Sequence, residues 1–135
     1  CSQCNQCLRI SNGLHTDIKV IGPTQTKHTS RSQTTITIED IRTMEHEAYL
    51  KPYEGRYRVF ILDGAEHLNL EASNAILKTL EEPPDLSLII LLTSEENRIL
   101  PTIQSRCRRL ELSTISYSHI VHHLTTNYHN KTCSS

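Results

Sequence analysis

The chain has 135 residues, 36% of them apolar, with one Phe, five Tyr and no Trp, so any core must rest on its 16 Leu and 14 Ile. That is material for one domain of ordinary size, without the run of about 18 apolar residues that a membrane span needs or the basic–apolar–small opening of a signal peptide. A net charge of −1 lends no support to a strongly basic nucleic-acid binder, and five Cys, three of them crowded at the start, are no secreted disulfide framework. A reduced, cytoplasmic setting is expected.

Cys1, Cys4 and Cys7 open the chain. The chain starts inside a motif and without Met, so a fragment of a longer protein is expected. Two-residue spacing lets neighbouring thiolates converge on one tetrahedral zinc, although three ligands do not close a structural site and a fourth would have to stand upstream. A redox pair and three unligated surface thiols are the rival readings. The redox pair ordinarily sits at a helix start after a strand, not in a three-Cys run.

Asp17–Ile21 is a short β-branched run closed by Gly22-Pro23, and predicts a strand. Thr24–Thr35 is polar throughout and predicts a solvated loop. A helix is expected from Thr37, its cap, with Glu39 and Asp40 in the positive first turn and an imperfect apolar stripe of Ile38, Ile41, Glu45 and Ala48. Pro52 and Gly55 end it. Arg58–Leu62 is apolar without alternation, as in a parallel strand covered on both faces, and finishes in Asp63-Gly64. Asn69 caps a second expected helix to Glu82, burying Leu70, Ala72, Ser73, Ile76, Leu77 and Leu80 before Pro83-Pro84 stops it. Leu88–Thr93 is the second continuous apolar strand. A short helix after Pro101, a strand near Arg109–Leu112 and a helix from about Ser116, with Tyr117, Ile120, Val121, Leu124 and Tyr128 along one side, complete the reading. Strands alternating with helices predict an α/β fold with a parallel sheet.

Asp63 closes a buried parallel strand, where nucleotide-binding α/β proteins hold the Mg²⁺ of a triphosphate. Active members usually follow that Asp with a water-positioning Glu. Here Gly64 follows, and Glu66, two residues further on, is expected to face elsewhere. Nor is there a phosphate loop, since GPTQTKH at Gly22 lacks the second Gly and the Lys-Ser/Thr pair. Asp63 serves equally well as a turn cap, and hydrolysis by this chain is not supported. Thr93 either touches a phosphate or water from its strand end, or merely ends the strand. Arg106, after a Pro-initiated turn, suits an anion on a partner, while the plainer alternative is a salt-bridged surface residue. His119, His122 and His123 have metal-compatible helical spacing but no carboxylate beside them, and read as a solvated or partner-facing face. Cys107 reads as a core thiol and Cys133 as a stray terminal one.

Five stretches in this order resemble one family: CSQCNQCLRISNGLHTD at Cys1–Asp17, IEDIR at Ile38–Arg42, KPYEGRYRVFILDGAEHLN at Lys51–Asn69, NAILKTLEEPP at Asn74–Pro84 and LPTIQSRC at Leu100–Cys107. The family is that of the delta-prime subunits of bacterial DNA polymerase III clamp loaders, in the AAA+ superfamily. The resemblance implies a partial AAA+ (RecA-like) domain over residues 1–112, with a zinc-module remnant at 1–16, and the start of a helical lid at 113–135. It implies that Cys1, Cys4 and Cys7 bind structural zinc with the fourth Cys upstream. It makes Asp63 the Walker B position, vestigial here, and Thr93 the sensor 1 position. Arg106 becomes a trans-acting arginine finger that reaches ATP, with its Mg²⁺, in a neighbouring subunit.

The partners implied are the gamma/tau and delta subunits, and through the complex the sliding clamp and primed DNA. The chain would be a component of the polymerase III holoenzyme that is not catalytic by itself. Two alternatives stand beside this. One is the ATP-hydrolysing gamma/tau motor of the same complex, which shares most of these motifs but carries Asp-Glu where this sequence has Asp63-Gly64. The other is a stand-alone zinc-binding interaction module. The incomplete sheet is also expected to leave an open edge and an apolar face, and hence poor solubility.

Overall fold

The computed structural model describes residues 3–26 and 33–128. Cys1 and Cys133, and the side chains of Leu124 and Tyr128, lie outside the described residues. The elements run α1 (Asn5–Ser11), β1 (Ile18–Ile21), β2 (Thr24–Thr26), β3 (Gln33–Thr35), α2 (Ile38–Ala48), β4 (Arg58–Asp63), α3 (Leu70–Glu81), β5 (Ser87–Leu92), α4 (Pro101–Gln104) and α5 (Tyr117–Tyr128). The expected α/β class with a parallel sheet is what the chain adopts. Strands β1, β4 and β5 pair in that order, all parallel, with Ile18 opposite Val59 and Asp63 opposite Leu92. A parallel pair cannot be closed by a tight turn, so α2 carries the chain from β1 towards β4, and α3 carries it from β4 to β5.

Both crossover helices begin where their caps dictate. The Thr37 hydroxyl accepts the Asp40 N–H while the Asp40 carboxylate accepts the Thr37 N–H at 2.8 Å, a reciprocal capping box. Asn69 Oδ1 accepts the Ala72 N–H at 2.7 Å. The helices pack on each other and on the sheet around one aliphatic cluster: Ile36, Ile41, Met44, Phe60, Leu62, Ile76 and Ile103 are its largest fully buried side chains.

Four expectations are corrected. Within the polar stretch Thr24–Thr35, β2 and β3 form an antiparallel pair, Thr24 opposite Thr35, because Thr suits an extended backbone even without a face to bury. The buried stripe of α2 is Ile41, Met44 and Ala48, and Glu45 instead accepts the buried Thr79 hydroxyl at 2.6 Å. On α3, Leu70 is 69% exposed in the first turn, Ala72, Ser73 and Ile76 are buried as expected, Leu77 and Leu80 are only partly buried, and Thr79 is buried in addition. Arg109–Leu112 form no strand: Leu110 and Leu112 are 79% and 89% exposed, and Arg109 is drawn to Glu96 at 2.8 Å. Among the described residues this stretch pairs with no strand, and the sheet ends at β5.

β4 is also less enclosed than a run without alternation suggests. Phe60 and Leu62 are fully buried on one face, whereas Val59 and Ile61 on the other are only half-buried, and Val20 beside them on β1 is exposed. Leu88 and Leu92 of β5 are exposed as well, which agrees with the open apolar surface expected of the sheet. Among the described residues, no helix is long and apolar enough to cross a membrane.

Candidate functional site

The parallel register brings the carboxyl ends of β4 and β5 side by side. Asp63 ends β4 and is solvent-exposed, and Thr93 follows the last residue of the adjacent strand. An open groove of about 990 Å³ lies across these ends, lined by Asp63, Glu66, Thr93, Ser94, Gln104 and Arg109 among others. Gln104 shapes one wall by donating to the Glu96 and Ile99 carbonyls at 3.0 and 2.9 Å.

Gly64 makes the sharp exit from β4. Its φ of +78° is left-handed, a region L side chains rarely adopt, and an added Cβ would stand 3.1 Å from the His67 ring. The tight turn from Ala65 to His67 that follows swings Glu66 back into the groove, contrary to the expectation that it faces away. Glu66 Oε1 accepts the Ser94 hydroxyl at 3.2 Å. Burial pushes this carboxyl up, but its own backbone N–H, the Thr93 and Ser94 hydroxyls and nearby His67 outweigh that and hold it below the ordinary range. Sequence reasoning missed Glu66 because only the left-handed turn at Gly64 decides its direction. The Gly after a strand-ending Asp was the available signal. Thr93 also performs its plain structural role, its Oγ1 accepting the Glu95 N–H at 3.0 Å to shape the turn after β5.

Arg106 does not join Asp63 and Thr93. It turns from the groove to α3, donating from Nε to Glu81 Oε1 at 2.9 Å and from Nη2 to the same oxygen, while Nη1 donates to the Thr102 carbonyl at 2.8 Å. Neighbouring Cys107 packs against the core cluster, and burial pushes its thiol up, as expected of a core thiol.

At the other end of the molecule, Cys4 caps α1, its Sγ accepting the Cys7 N–H at 3.4 Å. That backbone donor is the main reason the Cys4 thiol titrates below its ordinary range. Helix α1 buries no residue and is held to the fold through Arg9, which pairs with Glu54 at 2.6 Å. Two soft sulfur donors one helical turn apart fit half of a tetrahedral zinc site. Among the described residues, no three His, Cys, Asp or Glu converge on a common point, and Cys1 lies outside them. His119, His122 and His123 lie on α5, whose described side chains are exposed.

An open parallel sheet with a groove of mixed polar and apolar lining at its strand carboxyl ends is the arrangement of α/β domains that bind ligands at that edge. The family model for "DNA polymerase III, delta subunit" matches residues 1–116, and the chain belongs to that family. It is 36% identical over 117 residues to DNA polymerase III subunit gamma of Buchnera aphidicola, covering 86% of this chain and 30% of that protein. It is 34% identical to subunit tau of Bacillus subtilis, covering 90% and 20%, and 32% identical to subunit delta' of Pseudomonas aeruginosa, covering 79% and 31%. The crystal structure of a DNA polymerase III gamma subunit-related protein from Thermotoga maritima superposes with a TM-score of 0.64 at 27% identity, covering 84% of this chain and 38% of that one. The chain thus spans between a fifth and a third of the curated relatives named here, and is homologous to gamma, tau and delta' subunits alike.

Proposed function

We propose that the chain is part of a delta-prime-type subunit of a bacterial clamp loader, acting with gamma/tau and delta subunits in ATP-dependent loading of the sliding clamp onto primed DNA. The observation that carries this reading is the backbone at Gly64. The position after Asp63 has no side chain and a left-handed φ, so the carboxylate that would orient an attacking water has no place there. Asp63 then remains as an exposed strand-end carboxylate, and Thr93 and Glu66 shape the neighbouring turn after β5 by hydrogen bonds.

The useful chemistry of such a subunit is supplied in trans. Arg106 stands at the end of a Pro-initiated turn, its side chain one-third exposed. It would approach the terminal phosphate of ATP, with its Mg²⁺, bound by a neighbouring subunit and stabilise charge developing there. In other NTPases such a residue contributes about 10³–10⁵ in rate. Cys4 and Cys7, with Cys1, would hold a structural zinc that fixes α1 beside Glu54.

The alternative is a hydrolysing gamma/tau-type motor, favoured by the 36% identity to a gamma subunit and opposed by Gly64. The test is DNA-stimulated ATP hydrolysis by the full protein, reconstituted with ATPase partners, clamp and primed DNA. Arg106→Ala is expected to lower the rate strongly with assembly intact, and the subunit alone to show no turnover. An unchanged rate would reduce Arg106 to a surface charge, and turnover by the isolated subunit would favour the motor.

A further inference from the structure

We infer that Glu81 is the positioning residue for Arg106; the inference rests on the trans-acting reading of that guanidinium. Arg106 lies just beyond a helix of only four residues, which by itself leaves a long side chain free to sample many rotamers. Two groups remove that freedom. Glu81 Oε1 takes the Nε–H and one N–H of Nη2, and the Thr102 carbonyl takes one from Nη1. The Ser105 hydroxyl stands at 3.5 Å, too far to hold another firmly. Donors on Nη1 and Nη2 are thereby left over for an anion, with the plane of the fork already set.

Glu81 is the last residue of α3, a helix anchored in the core by the fully buried Ile76 and the buried Thr79. The fork is therefore referenced to α3 through Glu81 as well as to its own short turn through Thr102. The two side chains are one-third and one-half exposed, so solvent screens the pair and the carboxylate does not cancel the attraction of Arg106 for an anion. What Glu81 contributes is direction, which any acceptor at Oε1 supplies.

The experiment is DNA-stimulated ATP hydrolysis by the reconstituted complex of the full protein, comparing Glu81→Ala, Glu81→Gln, Arg106→Ala and the Glu81→Ala/Arg106→Ala double variant. Glu81→Ala is expected to lower kcat by about tenfold or more, with KM for ATP, melting temperature and assembly little changed. Glu81→Gln, which keeps the acceptor, is expected to restore most of the rate, and the double variant to match Arg106→Ala alone. A defective Arg106→Ala beside a fully active Glu81→Ala would overturn the positioning role and leave the finger standing. So would a double variant well below Arg106→Ala, because Glu81 would then act through another group. An unimpaired Arg106→Ala would overturn the finger and this inference with it.

Discussion

Asp17 and Gly55, 38 residues apart, meet through a hydrogen bond of 2.7 Å from the Gly55 N–H to Asp17 Oδ2. The same carboxylate accepts the N–H groups of Tyr53 at 2.7 Å and Glu54 at 2.9 Å, so one buried side chain organises the whole turn before β4. A Cβ on Gly55 would stand 3.3 Å from Asp17 Oδ2, which explains a glycine at this close approach.

Asp17→Asn would turn an amide N–H₂ towards at least one of these donors. It is expected to destabilise the fold by about 2 kcal/mol, measured as a shift in urea midpoint at unchanged slope. Burial pushes the Asp17 carboxyl up, but the three backbone N–H groups and Arg58 outweigh it and hold the group below the ordinary aspartate range. The folded value is depressed, so the stability it contributes is complete above the unfolded value and lost as pH falls through the folded one. Acid titration of the wild type should therefore show stability declining below about pH 4, and Asp17→Asn should flatten that decline. An equally steep decline in the variant would place its origin in other carboxylates, such as Glu54 beside Arg9.

Gly64 provides a test of the turn on which the proposed delta-prime-type reading rests. Gly64→Ala places a Cβ at φ +78° and close to the His67 ring, and should cost about 1–2 kcal/mol, visible as a melting temperature lower by several degrees. Gly64→Glu restores the Asp-Glu order yet should carry the same strain without conferring hydrolysis on the isolated subunit. A stable, hydrolysing Gly64→Glu variant would show that the turn is not what withholds activity.

Metal content bears on the N-terminal cysteines. The full protein is expected to carry zinc that Cys4→Ser reduces, and chelation should speed amide exchange in α1 while leaving β4 and β5 protected. The reason is that α1 buries no side chain and is joined to the fold by exposed contacts such as Arg9–Glu54. Loss of protection in β4 on chelation would point instead to a metal-dependent fold as a whole.

Much of the frame was legible in the sequence because local physics decides it. The caps at Thr37 and Asn69, the stop at Pro83-Pro84 and the apolar runs of β4 and β5 each act over a few residues; α3, β4 and β5 formed within a residue or two of their expected ends, while α2 began at its expected cap and stopped at Ala48, short of Pro52. Asp63 and Thr93 were readable as candidates for the same reason, since each directly terminates an apolar run. Periodicity alone put Glu45 in the buried stripe of α2, where packing against α3 selected Met44 instead. An apolar pair at Leu110 and Leu112 resembled a strand, but spacing alone does not pair a strand, and among the described residues this stretch joins no ladder.

Several of the contacts that shape the fold and its candidate sites are long in sequence and were decided by the tertiary structure. Asp17 reaches Gly55, Glu66 reaches Ser94 and Arg106 reaches Glu81 only because α2 and α3 return the chain alongside itself in parallel register. Residue type specifies what a carboxylate or guanidinium is able to bind. Which group it meets depends on how the crossovers close, and that is determined by the packing of the core they share.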